Sequence, residues 1–399
     1  MDLSTIVPAR VRTRLDGIDA LRGLAIFFVL MNHVNIRLRL AQVPYTAGLP
    51  RQLVSALVWN GQYGVQIFFA ISGFLITSMA LQRWGSLGRI DLREFYVLRF
   101  ARIAPLLALL LVLLSLLHGF QLKYFVVPAK TGGLGRAILA ALTFHVNVLE
   151  ARRGYLPGNW DILWSLSIEE MFYLFFPLVC RVLGQGRKLI AVLLFFLVMG
   201  PIGRTALANG NEIWKEYSYW GGMDAIALGC ITALLVQRVR FSLPGLRVFA
   251  GAGLAAMGFI LCFSIPVNRL GLERAGLDMT VLATGACMVI VASAQAQCKR
   301  PRLLVPLIGL GRRSYEVYLT HMFVVFAFFQ MFLNAGKPMS AVPWFFIAVI
   351  LVAGFLGEAV ARTFSDPMNR RLRLKLKEED PAEAHLILPL KPFSQSDHW

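Results

Sequence analysis

Arg22 and His33 stand eleven residues apart in the apolar run Ile18-Asp-Ala-Leu-Arg-Gly-Leu-Ala-Ile-Phe-Phe-Val-Leu-Met-Asn-His33. A guanidinium holds an anion through a two-pronged fork, and an imidazole takes up and returns a proton near neutrality. At 3.6 residues per turn, eleven steps return almost to the starting azimuth, so the two side chains share one helix face about 16 Å apart along the axis. Ionisable groups inside a bilayer cost about 2.5–3.5 kcal/mol each on insertion scales, which favours a task or a partner for each. The pair reads as two ends of a single site. The plainer reading has Arg22 reaching to the headgroups and His33 packed as a polar residue beside Asn32 and Asn35.

Three further runs carry polar chemistry in apolar surroundings. Arg99-Phe-Ala-Arg102, before Pro105, puts two guanidiniums on adjacent faces of one turn at a helix mouth. There they can grip phosphates bidentately or serve as a topology signal. Trp160-Asp-Ile-Leu-Trp-Ser-Leu-Ser-Ile-Glu169-Glu170-Met-Phe-Tyr173 places Glu169 roughly 14 Å below the surface where its helix opens, near the depth of His33. Adjacent carboxylates at that depth are hard to explain as packing. In Ser314-Tyr315-Glu-Val-Tyr318-Leu-Thr-His321 the two tyrosines and the histidine follow one face, an arrangement that suits a hydrogen-bonded structural histidine. The Ser72-Gly73 pair permits close helix approach, with a polar role for Ser72 as the other reading. Asp224 and Glu358 are read as buried acids without an evident partner.

The elements that must position these groups are membrane helices. Of 399 residues 57% are hydrophobic, and the mean hydropathy is +0.64, so the chain reads as an all-α polytopic membrane protein. About ten spans are expected, at 18–36, 60–81, 103–120, 160–180, 188–207, 218–237, 247–266, 276–297, 313–333 and 342–364. The apolar stretch 137–149, interrupted by Thr143, His145 and Asn147, is too short to cross and is expected to lie at the interface or re-enter. Leaving it out returns every basic cluster, including Arg181/Arg187/Lys188 and Arg370/Arg371/Arg373/Lys375/Lys377, to the side of the N-terminus. Both termini are then cytoplasmic, and 121–159 is the long external connection.

The division is an N-terminal segment 1–17, a membrane domain 18–364 and a mobile tail 365–399. Residues 1–17 hold no apolar core, so the first helix is expected to be the anchor. The net charge of +18 sits in short clusters between apolar runs, a topology signal that also attracts anionic lipids and anionic ligands rather than a nucleic-acid partner. Cys180, Cys230, Cys262, Cys287 and Cys298 show no spacing for a metal or a disulfide framework. Internal repeats and low-complexity segments are not evident.

Taken in order, these runs resemble the integral-membrane acyltransferase-3 family, over about 16–370. The resemblance rests on Arg22-x10-His33, Phe68-Phe-Ala-Ile-Ser72-Gly73-Phe, Arg99-x-x-Arg102, Trp164-Ser-Leu-Ser-Ile-Glu169-Glu-x-Phe-Tyr173 and Ser314-Tyr315-x-x-Tyr318-Leu-x-His321. Two departures are Ser365-Asp366-Pro367, where relatives often carry Glu-x-Pro, and Gly222-Met-Asp224, where an arginine often precedes the acid.

The resemblance implies a bacterial cytoplasmic-membrane enzyme that moves an acetyl or other short acyl group from acyl-CoA to a hydroxyl of a sugar or lipid-linked glycan, with no permanently bound cofactor or metal. On this expectation Arg22, Arg99 and Arg102 meet the phosphates of CoA. His33 acts as general base or is itself briefly acylated, and Glu169 orients the imidazole. Ser72, Tyr173 or Tyr318 supports the oxyanion, and His321 stands in support. The competing class is a transporter or flippase with an intramembrane His/Glu relay, against which no duplicated half is detected. A non-catalytic scaffold explains neither the Arg22/His33 register nor Glu169, and the membrane O-acyltransferases with an Asn/His pair fit less well. The acceptor, the chain length of the acyl group and the oligomeric state stay open.

Overall fold

The computed structural model describes residues 15–296 and 302–379, and its regular elements are all helical. The main ones are α1 (Asp16–Leu40), α2 (Gly61–Trp84), α3 (Leu92–Gly119), α4 (Gly133–Leu142), α5 (Val146–Arg153), α6 (Leu163–Leu183), α7 (Arg187–Arg204), α8 (Tyr219–Arg238), α9 (Leu243–Cys262), α10 (Asp278–Gln295), α11 (Ser314–Asn334), α12 (Val342–Val360) and α13 (Asp366–Glu379). Nine stretches among the described residues are long and apolar enough to cross a membrane. The remaining expected span is α7, eighteen residues with Arg187, Lys188 and Arg204 at its ends.

Helix ends follow local chemistry. Asp16 and Asp19 open α1, and Arg37 and Arg39 lie in its last turn, each charge opposing the nearer pole of the helix dipole. Asp91 caps α3 by accepting from the Glu94 amide at 2.7 Å. Between α3 and the helical turn at Gly158 lie only short helices such as α4 and α5, of ten and eight residues. At 1.5 Å per residue neither exceeds half of a hydrocarbon core about 30 Å thick, so neither helix is long enough to cross it.

Small residues let the helices around the site meet backbone to backbone. A side chain at Gly73 would strike the carbonyl of Ile226, and one at Gly229 the carbonyl of Ala70, which locks α2 against α8. The same reciprocal contact joins α1 to the short helix Val305–Arg312 through Gly23 and Gly311. Asp224, for which sequence offered no partner, lies fully buried against Arg204, with Nη–Oδ distances of 2.7 and 3.1 Å. Arg204 also donates to Gly276 O and Thr280 Oγ1, tying α7, α8 and α10 together. The arginine absent from the position before Asp224 is thus supplied by another helix. Glu358 is not buried as expected: it is 35% exposed and pairs with Arg313 at 2.7 Å and with Arg362.

The expected boundary at 364 is also corrected. α12 runs through a π-helical turn, Ala361–Ser365, directly into α13, with Pro367 just past that turn, where the interrupted i→i−4 pattern accommodates its missing amide hydrogen. Residues 366–379 are therefore helical. The rest of the expected tail, 380–399, lies outside the described residues, as do most of 1–17 and Cys298. Cys180, Cys230, Cys262 and Cys287 are free.

Candidate active site

α1 and α11 bring two imidazoles together. His33 Nδ1 lies 2.9 Å from Val29 O and 3.1 Å from His321 Nε2. His321 is fully buried, and its Nδ1 stands 2.7 Å from Tyr318 O and 3.2 Å from Val317 O. A carbonyl only accepts, so His321 carries its proton on Nδ1 and, when neutral, offers the Nε2 lone pair. His33 Nδ1 then faces two acceptors and must be the protonated nitrogen, which leaves Nε2 of His33 with the free lone pair. These tautomers follow from the partner atoms.

A cavity of about 420 Å³ ends short of this pair, and neither imidazole lines it. Its wall follows α2 from Arg83 back to Val65, about 27 Å at helical rise. The two ends differ in character. Gly61 packs on Asn32, and Gly64 on Ala25 and Val29, so the Val65 end is level with the turn of α1 that precedes His33. Tyr318, whose ring lies 5.9 Å from that of His321, closes the wall there. Its hydroxyl donates to Ile162 O at 2.8 Å and lies 2.7 Å from Ser165 Oγ, which pins α11 to α6.

The opposite end is lined by Arg22, Arg83, Arg99, Arg102 and Arg373. Arg83 is neutralised by Glu94. Arg22 lies 3.9 Å from Asp19, whose nearer cation is Arg312 at 3.2 Å. Among the described residues no carboxylate stands within salt-bridge distance of Arg99, Arg102 or Arg373. Arg99 lies over the Tyr173 ring, 5.4 Å from its centroid, and its Nε is buried without a hydrogen-bond partner. Guanidiniums that outnumber the nearby carboxylates, three of them unpaired and one with an orphaned donor, make a seat for an anion of several charges.

The expected contact between Glu169 and His33 is absent. Ser72 Oγ donates to Glu169 Oε1 at 2.9 Å and lies 2.7 Å from the Tyr173 hydroxyl. Glu169 is set among Arg22, Arg99 and Arg102 instead. The expected depth near His33 is not observed either: Ser72, which holds the carboxylate, lies about two turns beyond Gly64, itself packed on Ala25 and Val29, so Glu169 sits at the level of Arg22 and faces the guanidiniums. Ser72 has one hydroxyl hydrogen, committed to Glu169, so it has none for an oxyanion. The structure therefore groups Arg22, Arg99, Arg102, Ser72, Glu169, Tyr173 and Tyr318 around one cavity; His33 and His321 do not line it and lie behind Tyr318.

Two features escaped sequence reasoning. His321 was read as a structural group, and only the fold puts it against His33. Arg373 sits in a basic cluster read as topology; the available signal was the unbroken helix-compatible run after Pro367.

A family model described as an acyltransferase domain matches residues 15–360. Among similar proteins, the O-acetyltransferase OatA of Staphylococcus aureus (strain NCTC 8325 / PS 47) is 25% identical over 90% of this chain and 57% of its own length. The peptidoglycan O-acetyltransferase OatA of Listeria monocytogenes is 26% identical over 78% of this chain and 49% of its own. The chain thus spans about half the length of the curated relatives it matches. No solved structure matches. A match over most of the chain, on residues that the fold gathers at one cavity, makes this integral-membrane protein a member of the acyltransferase-3 family.

Proposed function

We propose that the chain transfers an acetyl or other short acyl group from acyl-CoA to a hydroxyl of a glycan at the bacterial cytoplasmic membrane. The observation that carries this reading is the cavity itself: arginines that outnumber the carboxylates at one end, and near the other, behind Tyr318, an imidazole with a free Nε2. About 27 Å of groove along α2 suits an extended thioester arm whose phosphates rest on Arg22, Arg99 and Arg102. The names of the relatives, O-acetyltransferases and in one case a peptidoglycan O-acetyltransferase, support acetyl as the group and a glycan as the acceptor.

In this mechanism Nε2 of His33 removes the proton of the acceptor hydroxyl as its oxygen attacks the thioester carbonyl. The tetrahedral intermediate collapses with loss of the CoA thiolate, which takes the proton back from His33. Ester and CoA thiol are the products, so atoms and charge balance. His321 accepts from His33 Nδ1–H throughout, which holds the ring and stabilises its cationic form. Glu169, held by Ser72, offsets part of the positive charge of the arginines. The arginine end faces the cytoplasm, with both termini, and the imidazole pair lies on the side of the external connection 121–159.

The test is purified protein in nanodiscs with radiolabelled acetyl-CoA and peptidoglycan fragments. Acetyl esters on the glycan with matching release of CoA thiol are expected. Solute flux in vesicles with no consumption of thioester would overturn the reading in favour of a transporter.

A further inference from the structure

We infer that α13, which begins beyond the matched acyltransferase domain, supplies Arg373 as a further ligand for the phosphate-bearing end of the donor and so helps select CoA over shorter thioesters. This rests on the acyl-CoA reading above.

Arg373 lines the cavity beside the arginines of α1, α2 and α3, and α13 packs against α3. It lies within electrostatic reach of Arg83, Arg99 and Arg102. Its neighbours Arg370 and Arg371 are exposed, whereas Arg373 is half-buried. Arg373 Nε donates to Asn369 Oδ1 at 2.8 Å, one turn back on α13, which fixes the stem and leaves the two terminal nitrogens for a ligand. Like charges brought this close repel unless an anion lies between them.

The charge count decides the kind of anion. Arg83 is neutralised by Glu94, but Arg99, Arg102 and Arg373 have no carboxylate at salt-bridge distance, and Arg22 has one only at 3.9 Å. A single phosphate accepts the forks of about two guanidiniums, so this cluster suits a molecule with several phosphates. The diphosphate and ribose phosphate of CoA match that requirement. Pantetheine, which ends short of them, does not.

The experiment measures turnover with acetyl-CoA and with S-acetylpantetheine, alongside equilibrium binding of CoA, for the wild type, Arg373→Gln, Arg373→Lys and Arg370→Gln. Losing a charge-assisted hydrogen bond should raise KM for acetyl-CoA roughly ten- to a hundredfold in Arg373→Gln, with kcat held. Arg373→Lys should recover part of the loss. S-Acetylpantetheine should be used equally well by all four proteins, and Arg370→Gln should match the wild type with both donors. An equal loss on both donors would mean that Arg373 only props α13, and CoA binding unchanged in Arg373→Gln would overturn the inference alone. A wild type that binds no CoA would overturn it together with the donor reading.

Discussion

His321 Nε2 stands 3.1 Å from His33 Nδ1, and the two carbonyls that hold His321 Nδ1 fix the direction of that hydrogen bond. When His33 gains a proton at Nε2, its bond to His321 becomes charge-assisted and roughly twice as strong. In the proposed mechanism a neutral imidazole thus does for His33 what a carboxylate does in a serine hydrolase triad, at lower desolvation cost within a membrane.

Glu169→Gln should act on the donor rather than on the proton transfer. The amide still accepts from Ser72, but a negative charge among Arg22, Arg99 and Arg102 is gone, so the field on an anionic donor strengthens. Steady-state kinetics should show KM for acyl-CoA falling by about threefold or more with kcat little changed. A large fall in kcat at constant KM would return Glu169 to the imidazole.

Replacing Arg99 and Arg102 together by lysine keeps the charge and removes the forks. The affinity for acyl-CoA should fall about ten- to a hundredfold while membrane insertion is unchanged. Unaltered binding in calorimetry would reduce the pair to a topology signal.

Much of this site was legible in the sequence because helical spacing converts directly into depth and face. The Arg22–His33 register and the Arg99/Arg102 turn follow from a rise of 1.5 Å per residue, whereas a depth for Glu169 counted from Trp160 fails because the long helix opens only at Leu163. What one helix cannot specify is which way it turns toward its neighbours. The pairing of His33 with His321, of Asp224 with Arg204, and the turning of Glu169 toward the arginines depend on crossings set by glycines such as Gly73 and Gly229. The π-turn at Ala361–Ser365 escaped for a related reason: hydropathy falls there although the backbone stays helical.

Asp224→Ala should be strongly destabilising, by about 3–5 kcal/mol, because it leaves the buried Arg204 guanidinium without its carboxylate. Thr280→Val, which removes one hydrogen bond from the same network, should cost only about 1 kcal/mol. Thermal unfolding in detergent orders the two; equal effects would mean that the ion pair is not what joins α7, α8 and α10.

The proposed orientation is open to labelling. With the native cysteines replaced, Arg153→Cys should react with an impermeant thiol reagent from outside intact cells, and Gly186→Cys should be protected. Both sites are exposed, and α6 lies between them. The reverse pattern would place the arginine end of the cavity outside.

The central claim, that His33 is the base and His321 its partner, is tested most directly by a kinetic cycle of His33→Ala, His321→Ala and the double variant, measured as kcat at saturating donor. His33→Ala should lower kcat by about 10²–10⁴-fold and His321→Ala by a smaller factor, with the double variant no slower than His33→Ala alone. Losses that multiply would show that the two imidazoles act independently and would contradict the account.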